Sequence, residues 1–310
     1  MYNDRSKNMK KRRLKIIANP VSGRGSTGRS IPRLREELAA RGFETDLFLT
    51  DKRGAARSFA ASADGYDAFI CVGGDGTVSE VINGIDLDRI MPIAVLPAGT
   101  GNVLAKELKL PRHTGRLADI VARGSTVSID VGVDTLHGRR FCMMASAGFD
   151  SAVVHRFSVA RKGTMHMWQY LLWGMKVVES YAMQPIRVEV DGKVVEKKAG
   201  YVLVSNVRSY GGPLTFVPQA DPRDGLFDIF VIRRRRKRDL IRFFSFGFLT
   251  YLTGQHFRMG DCLHLTGREV SLSSDAMVPV QMDGDAAGFL PVRLSVDPRR
   301  LSLMVPAPPA

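Results

Sequence analysis

The sequence predicts two units: an α/β unit built on a parallel sheet, then a β-rich sandwich. Three observations predict this. Strand-like and helix-like segments alternate through the first 110 residues. From about Thr126 short strand-like runs predominate instead. Each strand of the first part leads into a loop rich in Gly, Ser, Thr or Asn, as in open sheets that bind ligands at their carboxyl edges.

In chain order, the apolar run Leu14–Ala18 predicts a strand, and Ile31, Leu34 and Leu38 on one face predict a helix over Ser30–Arg41. Strands follow at Thr45–Leu49, Ala68–Val72 and Ile93–Leu96, with helices at Ala55–Ala63, from Val78 to Gly84 and at Asn102–Leu108. The β-rich part holds strands at Val127–Val133, Val188–Val190, Tyr201–Ser205, Leu226–Ile232, Val270–Leu272, Val278–Met282 and Val292–Val296. Two apolar helical segments interrupt them, near Thr164–Tyr181 and Asp239–Leu252. These readings divide the chain into a basic tail (1–13), an α/β domain (14–126), a sandwich (127–305) and a frayed Pro-rich end (306–310). Leu301–Val305 reads as a last strand that either stays in the sandwich or returns to the first sheet.

A chain of 310 residues with 45% hydrophobic content has room for two modest cores. The cysteines Cys71, Cys142 and Cys262 lie far apart, with neither a disulfide framework nor zinc spacing, which suits a reducing, cytoplasmic compartment. The first residues lack the apolar core of a signal peptide, and no apolar run is long enough to span a bilayer. A net charge of +14 attracts polyanions of any kind: nucleic acid, an anionic membrane or a phosphorylated substrate. No zinc-finger, recognition-helix or aromatic RNA-binding motif supports the first, and no Gly-x-Ser-x-Gly elbow points to a serine nucleophile.

The chemistry concentrates in three loops. Gly73-Gly74-Asp75-Gly76-Thr77 lies between a strand and a helix, where glycines let the backbone approach a ligand and the helix N-terminus favours phosphate. A carboxylate at Asp75 makes sense there if it holds Mg²⁺; the alternative is a helix cap on a glycine-rich turn. Pro97-Ala98-Gly99-Thr100-Gly101-Asn102 occupies the equivalent place after the next strand, with Thr100 and Asn102 as donors to phosphate oxygens. The third loop, Asn19–Ser30, offers Asn19, Ser22, Gly23 and backbone N–H groups to a nucleotide. Its Gly23, Gly25 and Gly28 match the dinucleotide fingerprint, with Asp51 at the ribose distance, but Asn19–Ser22 and their proline separate the first glycine from the strand. It also approximates a P-loop, except that Arg29 stands where the phosphate-reaching lysine would be.

In this order and spacing, the loops Asn-Pro-x-Ser-Gly, Gly-Gly-Asp-Gly-Thr and Pro-x-Gly-Thr-Gly-Asn resemble those of the diacylglycerol and sphingoid-base lipid kinases, in particular the soluble bacterial type. The resemblance runs over nearly the whole chain, through Gly148-Phe149-Asp150, Ala220–Leu226 and Asp283-Gly284-Asp285. Gly-Gly-Asp-Gly itself is shared with NAD kinases and phosphofructokinases. The resemblance implies a nucleotide domain of that type, a C-terminal sandwich, an active site in the cleft between them, and ATP with Mg²⁺ as the phosphoryl donor. It implies nucleotide contacts from Thr50, from Gly74 to Glu80 and from Thr100, and a general base at the last position of an Asp-Gly-Glu motif. Here that position is Asp285, one methylene shorter, with Asp283 as its neighbour and rival. It further implies a structural Mg²⁺ bound by the Asp224 carboxylate and the carbonyls of Asp221 and Leu226; an ordinary polar turn is the alternative. Val103 is a second departure: diacylglycerol kinases commonly carry aspartate there, whereas sphingosine-kinase-like members often carry an apolar residue.

The acceptor is thus expected to be a membrane lipid, namely a sphingoid base or ceramide, diacylglycerol, or a related lipid alcohol. The basic run Arg233–Arg238, followed by Leu240, Ile241, Phe243, Phe244 and Phe246, is expected to bring the protein to an anionic membrane as a peripheral partner. Most of those phenylalanines read as core, and the arginines carry the membrane reading. Met165, Met167, Trp168, Leu171, Leu172, Trp173 and Met175 fit either an acyl-chain cleft or a core helix. A homodimer stays open, as do a soluble acceptor such as NAD and a nucleotide-binding membrane regulator without turnover.

Overall fold

The computed structural model describes residues 12–160, 181–210, 214–215, 217–233 and 261–307. Most of the predicted helical segments at 164–181 and 239–252, most of the basic run and nearly all of the basic tail lie outside the described residues.

The first unit contains β1 (Arg13–Ala18), α1 (Ser26–Ala39), β2 (Glu44–Leu49), α2 (Ala55–Ala60), β3 (Ala68–Gly73), α3 (Asp75–Gly84), β4 (Ile93–Pro97), α4 (Val103–Glu107), α5 (Thr114–Arg123) and β5 (Thr126–Ile129). The second contains β6 (Gly132–Asp134), β7 (Arg139–Phe141), β8 (Met144–Ala147), α6 (Phe149–Ala160), β9 (Ile186–Val190), β10 (Lys193–Ala199), β11 (Tyr201–Ser205), β12 (Ser209–Tyr210), β13 (Leu214–Thr215), β14 (Phe227–Ile232), β15 (Cys262–Gly267), β16 (Glu269–Ser273), β17 (Pro279–Met282), β18 (Asp285–Phe289) and β19 (Val292–Val296). The chain ends on β20 (Leu301–Met304).

The first sheet has the order β2-β1-β3-β4-β20-β5, parallel from β2 through β20 and closed by antiparallel β5. Its central strand shows why it reads as an unbroken apolar run. Ile70 and Val72 of β3 pack under the α1 and α5 layer, while Phe69 and Cys71 pack on the opposite face. Side chains alternate faces along a strand, and both faces are covered.

The sandwich packs the sheet β10-β9-β16-β19-β6-β7 on the sheet β15-β14-β11-β8-β17-β18. Val202 and Val204 of β11 and Phe227, Ile229 and Val231 of β14 point into the space between these sheets. Tyr201, Leu203, Phe230 and Ile232 point the other way, into a core shared with Val103 and Leu104 of the first unit. The second sheet is therefore buried on both faces, and its outer face forms part of the seam between the units.

Two differences from the sequence reading have physical causes. The run Val127–Val133 is not one strand: β5 pairs with β20 in the first sheet, and β6 pairs with β19 in the sandwich. Buried Asp130 marks the crossing; its carboxylate accepts the Gly225 N–H at 2.7 Å and pairs with Arg300 at 2.9 Å. Helix α1 begins at Ser26 rather than Ser30, with Pro32 inside it, and Ile31, Leu34 and Leu38 are buried on one face.

Candidate active site

Strands β1 to β4 finish together: Ala18 lies opposite Leu49 and Val72, and Gly73 opposite Pro97. The first loop residues continue the ladder. Asn19 N–H donates to the Val72 carbonyl (2.9 Å), Thr50 N–H to that of Ala18 (2.9 Å) and Ala98 N–H to that of Gly73 (2.8 Å). Because β1 leads on to β2 on one side and β3 leads on to β4 on the other, the loops leaving β1 and β3 diverge and open a crevice at the carboxyl edge of the sheet.

The two glycine loops touch through their backbones. A β-carbon on Gly74 would lie 2.9 Å from the Gly99 α-carbon, and one on Gly99 would lie 2.5 Å from that of Gly74. No larger residue fits at either position without parting the loops. Asp75 starts α3 and turns its carboxylate to the beginning of α4, where it accepts N–H groups of Val103, Leu104 and Asn102. Burial pushes this carboxyl above the usual carboxylate range, and those N–H groups oppose the rise. Asp75 thus caps the neighbouring helix rather than its own, where the carbonyl of Gly74 accepts Thr77 N–H at 3.0 Å. A β-carbon on Gly101 would come within 2.7 Å of the Asp75 Oδ2. Asn102, at a left-handed φ of 49°, is committed to Gly99: its Oδ1 accepts Gly99 N–H (2.8 Å) and its Nδ2 donates to the Gly99 carbonyl (2.6 Å). Gly76 is exposed in the first turn of α3, and Thr77 is buried.

In the loop after β1, Asn19 Oδ1 accepts Val21 N–H (3.1 Å), and the carbonyl of buried Ser22 accepts the Thr27 hydroxyl (3.0 Å). Gly23 takes a left-handed φ of 60°. Glu80, on the far side of α3, caps α2 by accepting the N–H groups of Gly54 (2.8 Å) and Ala56 (3.1 Å).

The sandwich brings its own carboxylates to this crevice. The α3 end of the seam is fixed by Asn83, which exchanges two hydrogen bonds with the Arg140 backbone (2.8 and 2.9 Å). Buried Asp283 accepts the N–H groups of Cys142, Met143 and Met144 at 2.9 to 3.0 Å. Burial still pushes its carboxyl up to about 6, and the Asp75 charge adds to the rise. Asp285, two residues on, remains partly exposed. Its Oδ1 lies 3.1 Å from Arg53 Nη2, and its Oδ2 lies 3.9 Å from Arg139 Nη2. Since Arg53 precedes α2 and Asp285 opens β18, this ion pair bridges the two units. Behind it, buried Asp150 accepts the hydroxyls of Ser146 (2.6 Å), Tyr210 (2.6 Å) and Tyr201 (3.2 Å).

The loop before β14 lies apart from these groups, and Asp130 and Arg300 hold its backbone from outside. Asp221 holds Arg223 through two hydrogen bonds of 2.8 and 2.9 Å, and Asp224 Oδ1 accepts Leu226 N–H at 2.9 Å. Burial raises the Asp224 carboxyl, and Asp221, Asp228 and Asp130 push it the same way.

Comparison with known proteins accounts for this pairing of units. Residues 13–133 match the diacylglycerol kinase catalytic domain, and residues 143–305 match the YegS C-terminal NAD kinase beta sandwich-like domain. The chain belongs to the diacylglycerol kinase family of lipid kinases. This kinase is 29% identical over 286 residues to the diacylglycerol kinase of Staphylococcus carnosus, covering 91% of each chain. It is 28% identical over 284 residues to that of Bacillus subtilis, covering 90% of this chain and 92% of the relative. It shares its fold with a crystal structure of a diacylglycerol kinase from Bacillus anthracis str. Sterne, at a TM-score of 0.74 and 23% identity over 96% and 98% of the two chains. Val103, where the resemblance leads to an expectation of aspartate, is buried in the seam core, so an apolar residue suits the position. Sequence reasoning missed Arg53, Arg57, Arg139 and Asn83. No local pattern marked them: Arg53 precedes α2, and the left-handed Gly54 between it and the helix breaks any helical spacing with Arg57.

Proposed function

We propose that this kinase transfers the γ-phosphoryl group of ATP directly to the hydroxyl of a membrane lipid in the cleft between its two units. The observation that carries the reading is the Gly74–Gly99 contact, which joins two glycine loops into one cradle at the sheet edge, beside the carboxylates of the sandwich. Backbone N–H groups around Gly73, Gly74, Gly76 and Thr77, with Asn19, Ser22, Gly23, Thr50 and Thr100, line the nucleotide side. Asp75, Glu80, Gly99, Gly101 and Asn102 keep that cradle in shape. Asp285 takes the proton of the attacking hydroxyl; the new oxygen–phosphorus bond forms as the bond to the β,γ-bridging oxygen breaks, and ADP leaves.

Among the described residues no three His, Cys, Asp or Glu side chains are placed to hold a metal ion. Mg²⁺ would arrive with the nucleotide, and Asp75, whose carboxylate already accepts three backbone N–H groups, would be the protein carboxylate that holds it. Bound there, it would neutralise phosphate charge. A second Mg²⁺ at Asp221, Asp224 and Leu226 is supported by the carboxylates crowded around Asp224, whose mutual repulsion a cation would relieve.

Diacylglycerol is the acceptor to offer first, because the relatives carry that name; ceramide and sphingosine follow, because of Val103. The decisive assay supplies labelled ATP, Mg²⁺ and each lipid in mixed micelles, beside an Asp285→Ala control. Organic-phase label that disappears in the control supports the reading, and label confined to the aqueous phase would replace the lipid with a soluble acceptor such as NAD. ATP binding without any label would make the protein a regulator. Its net charge of +14 supports peripheral attachment to an anionic membrane. Co-sedimentation with anionic but not neutral vesicles checks that attachment. Among the described residues no helix is long and apolar enough to cross a membrane.

A further inference from the structure

The phosphoryl-transfer reading leaves a concentration of positive charge around Asp285 without a task. Arg53 pairs with this carboxylate from the first unit, and Arg139 approaches it from β7 of the sandwich. Arg57 lies in the first turn of α2, four residues after Arg53, which precedes the helix across the left-handed Gly54. Arg53 and Arg57 both lie near enough to Arg139 to disfavour its charge, although burial disfavours it more. Against these three guanidiniums stand Asp285 and buried Asp283, whose charges both favour that of Arg139, and Asp283 also accepts three backbone N–H groups. Asp285 is the carboxylate that pairs directly with two of them, Arg53 and Arg139.

The arginines also differ in freedom. Arg139 is anchored, its Nη1 donating to the Ala286 carbonyl at 2.7 Å. The Arg53 side chain is 62% exposed and is free to exchange partners. Guanidinium forks match phosphate oxygens in shape and charge, and several such forks on one side of a cleft form a receptor for a tetrahedral anion.

We propose that Arg53, Arg57 and Arg139 form a phosphate subsite over Asp285, which Arg53 enters by exchanging its ion pair with Asp285 for phosphate oxygens. The exchange gives Asp285 a second use: it holds Arg53 in the empty cleft, and once released it is free to accept a proton. This rests on the reading of Asp285 as the general base. The phosphate is either the γ-phosphate of the nucleotide or one carried by the acceptor beside its hydroxyl.

Equilibrium binding of ATP and ADP separates the sources without requiring turnover. If the γ-phosphate occupies the subsite, Arg53→Gln weakens ATP by about tenfold while ADP is little changed, the scale of a lost charge-assisted hydrogen bond. If the acceptor supplies the phosphate, both nucleotides bind as before, and Arg53→Gln lowers kcat/KM by a similar factor for phosphatidylglycerol but not for neutral diacylglycerol. Arg57→Gln shows the same pattern to a smaller degree. Thermal melting of each variant confirms that it is folded. A double-variant cycle tests the exchange itself: Asp285→Asn releases Arg53, so that ligand binds more tightly, and the gain disappears in the Arg53→Gln background. Unchanged ATP-to-ADP and phosphatidylglycerol-to-diacylglycerol ratios in Arg53→Gln would overturn the subsite, and an Asp285→Asn variant with no gain would overturn the exchange. A wild-type protein that phosphorylates no lipid, but whose ATP-to-ADP ratio falls in Arg53→Gln, would overturn the acceptor reading and leave the subsite standing.

Discussion

The backbones of Gly74 and Gly99 meet so closely that a β-carbon on Gly99 would stand 2.5 Å from the Gly74 α-carbon. Two loops from separate βα units are thereby locked into one surface. Alanine at Gly99 must part them, since the atom in the way is backbone and has nowhere to turn. We expect Gly99→Ala to lose about 1–3 kcal/mol of stability, as overpacking does, and to lose nucleotide binding with it. Chemical denaturation and ATP titration measure the two effects.

Asp285→Asn keeps the size and removes the proton acceptor. If Asp285 is the base, kcat falls by about a hundredfold or more, while ATP binding survives. Single-turnover kinetics with diacylglycerol micelles read the chemical step directly. A variant that kept wild-type kcat would shift the role to Asp283.

Glu80 holds the start of α2 through Gly54 and Ala56 and so sets where Arg53 and Arg57 stand. Glu80→Ala leaves both N–H groups without this acceptor and is expected to cost about 1–2 kcal/mol. It also weakens ATP if the arginines receive the γ-phosphate. Glu80→Gln, which retains one acceptor oxygen, should fall between the two in both measurements.

Asp283 predicts a pH dependence. Its carboxyl rises from an ordinary value of 3.8 to about 6 in the fold, mainly through burial. The folded protein therefore holds this proton more tightly than the unfolded chain does. The stabilisation is complete below about pH 4 and is lost as pH rises through 6, a change of about 3 kcal/mol from this group. Urea denaturation between pH 4 and 7 should show that slope, flattened in Asp283→Asn. The substitution also turns an amide N–H₂ toward the backbone donors of Cys142–Met144, so it lowers stability at every pH.

The sequence by itself determined the order of elements from β1 to α4 and the glycine loops that follow these strands, but not helix α5. Both are local: hydrophobic period decides strand or helix, and glycine marks where the backbone must come close to something. The continuous apolar character of β3 likewise announced a strand covered on both faces.

Only the tertiary structure decided what those strands pack against, and where the charged groups end up. Nothing in the run Val127–Val133 says that its halves join different sheets, because alternation is the same whichever partner accepts the hydrogen bonds. Asp75 is expected from the sequence to hold Mg²⁺, with a helix cap as the alternative; in the fold its carboxylate caps α4 rather than its own helix, because the Gly74–Gly99 contact brings α4 within reach. Arg53 and Asp285 are more than two hundred residues apart in the chain, yet their charges meet across the seam. A long side chain finds its partner through the packing of two cores, and that distance is written in no local pattern.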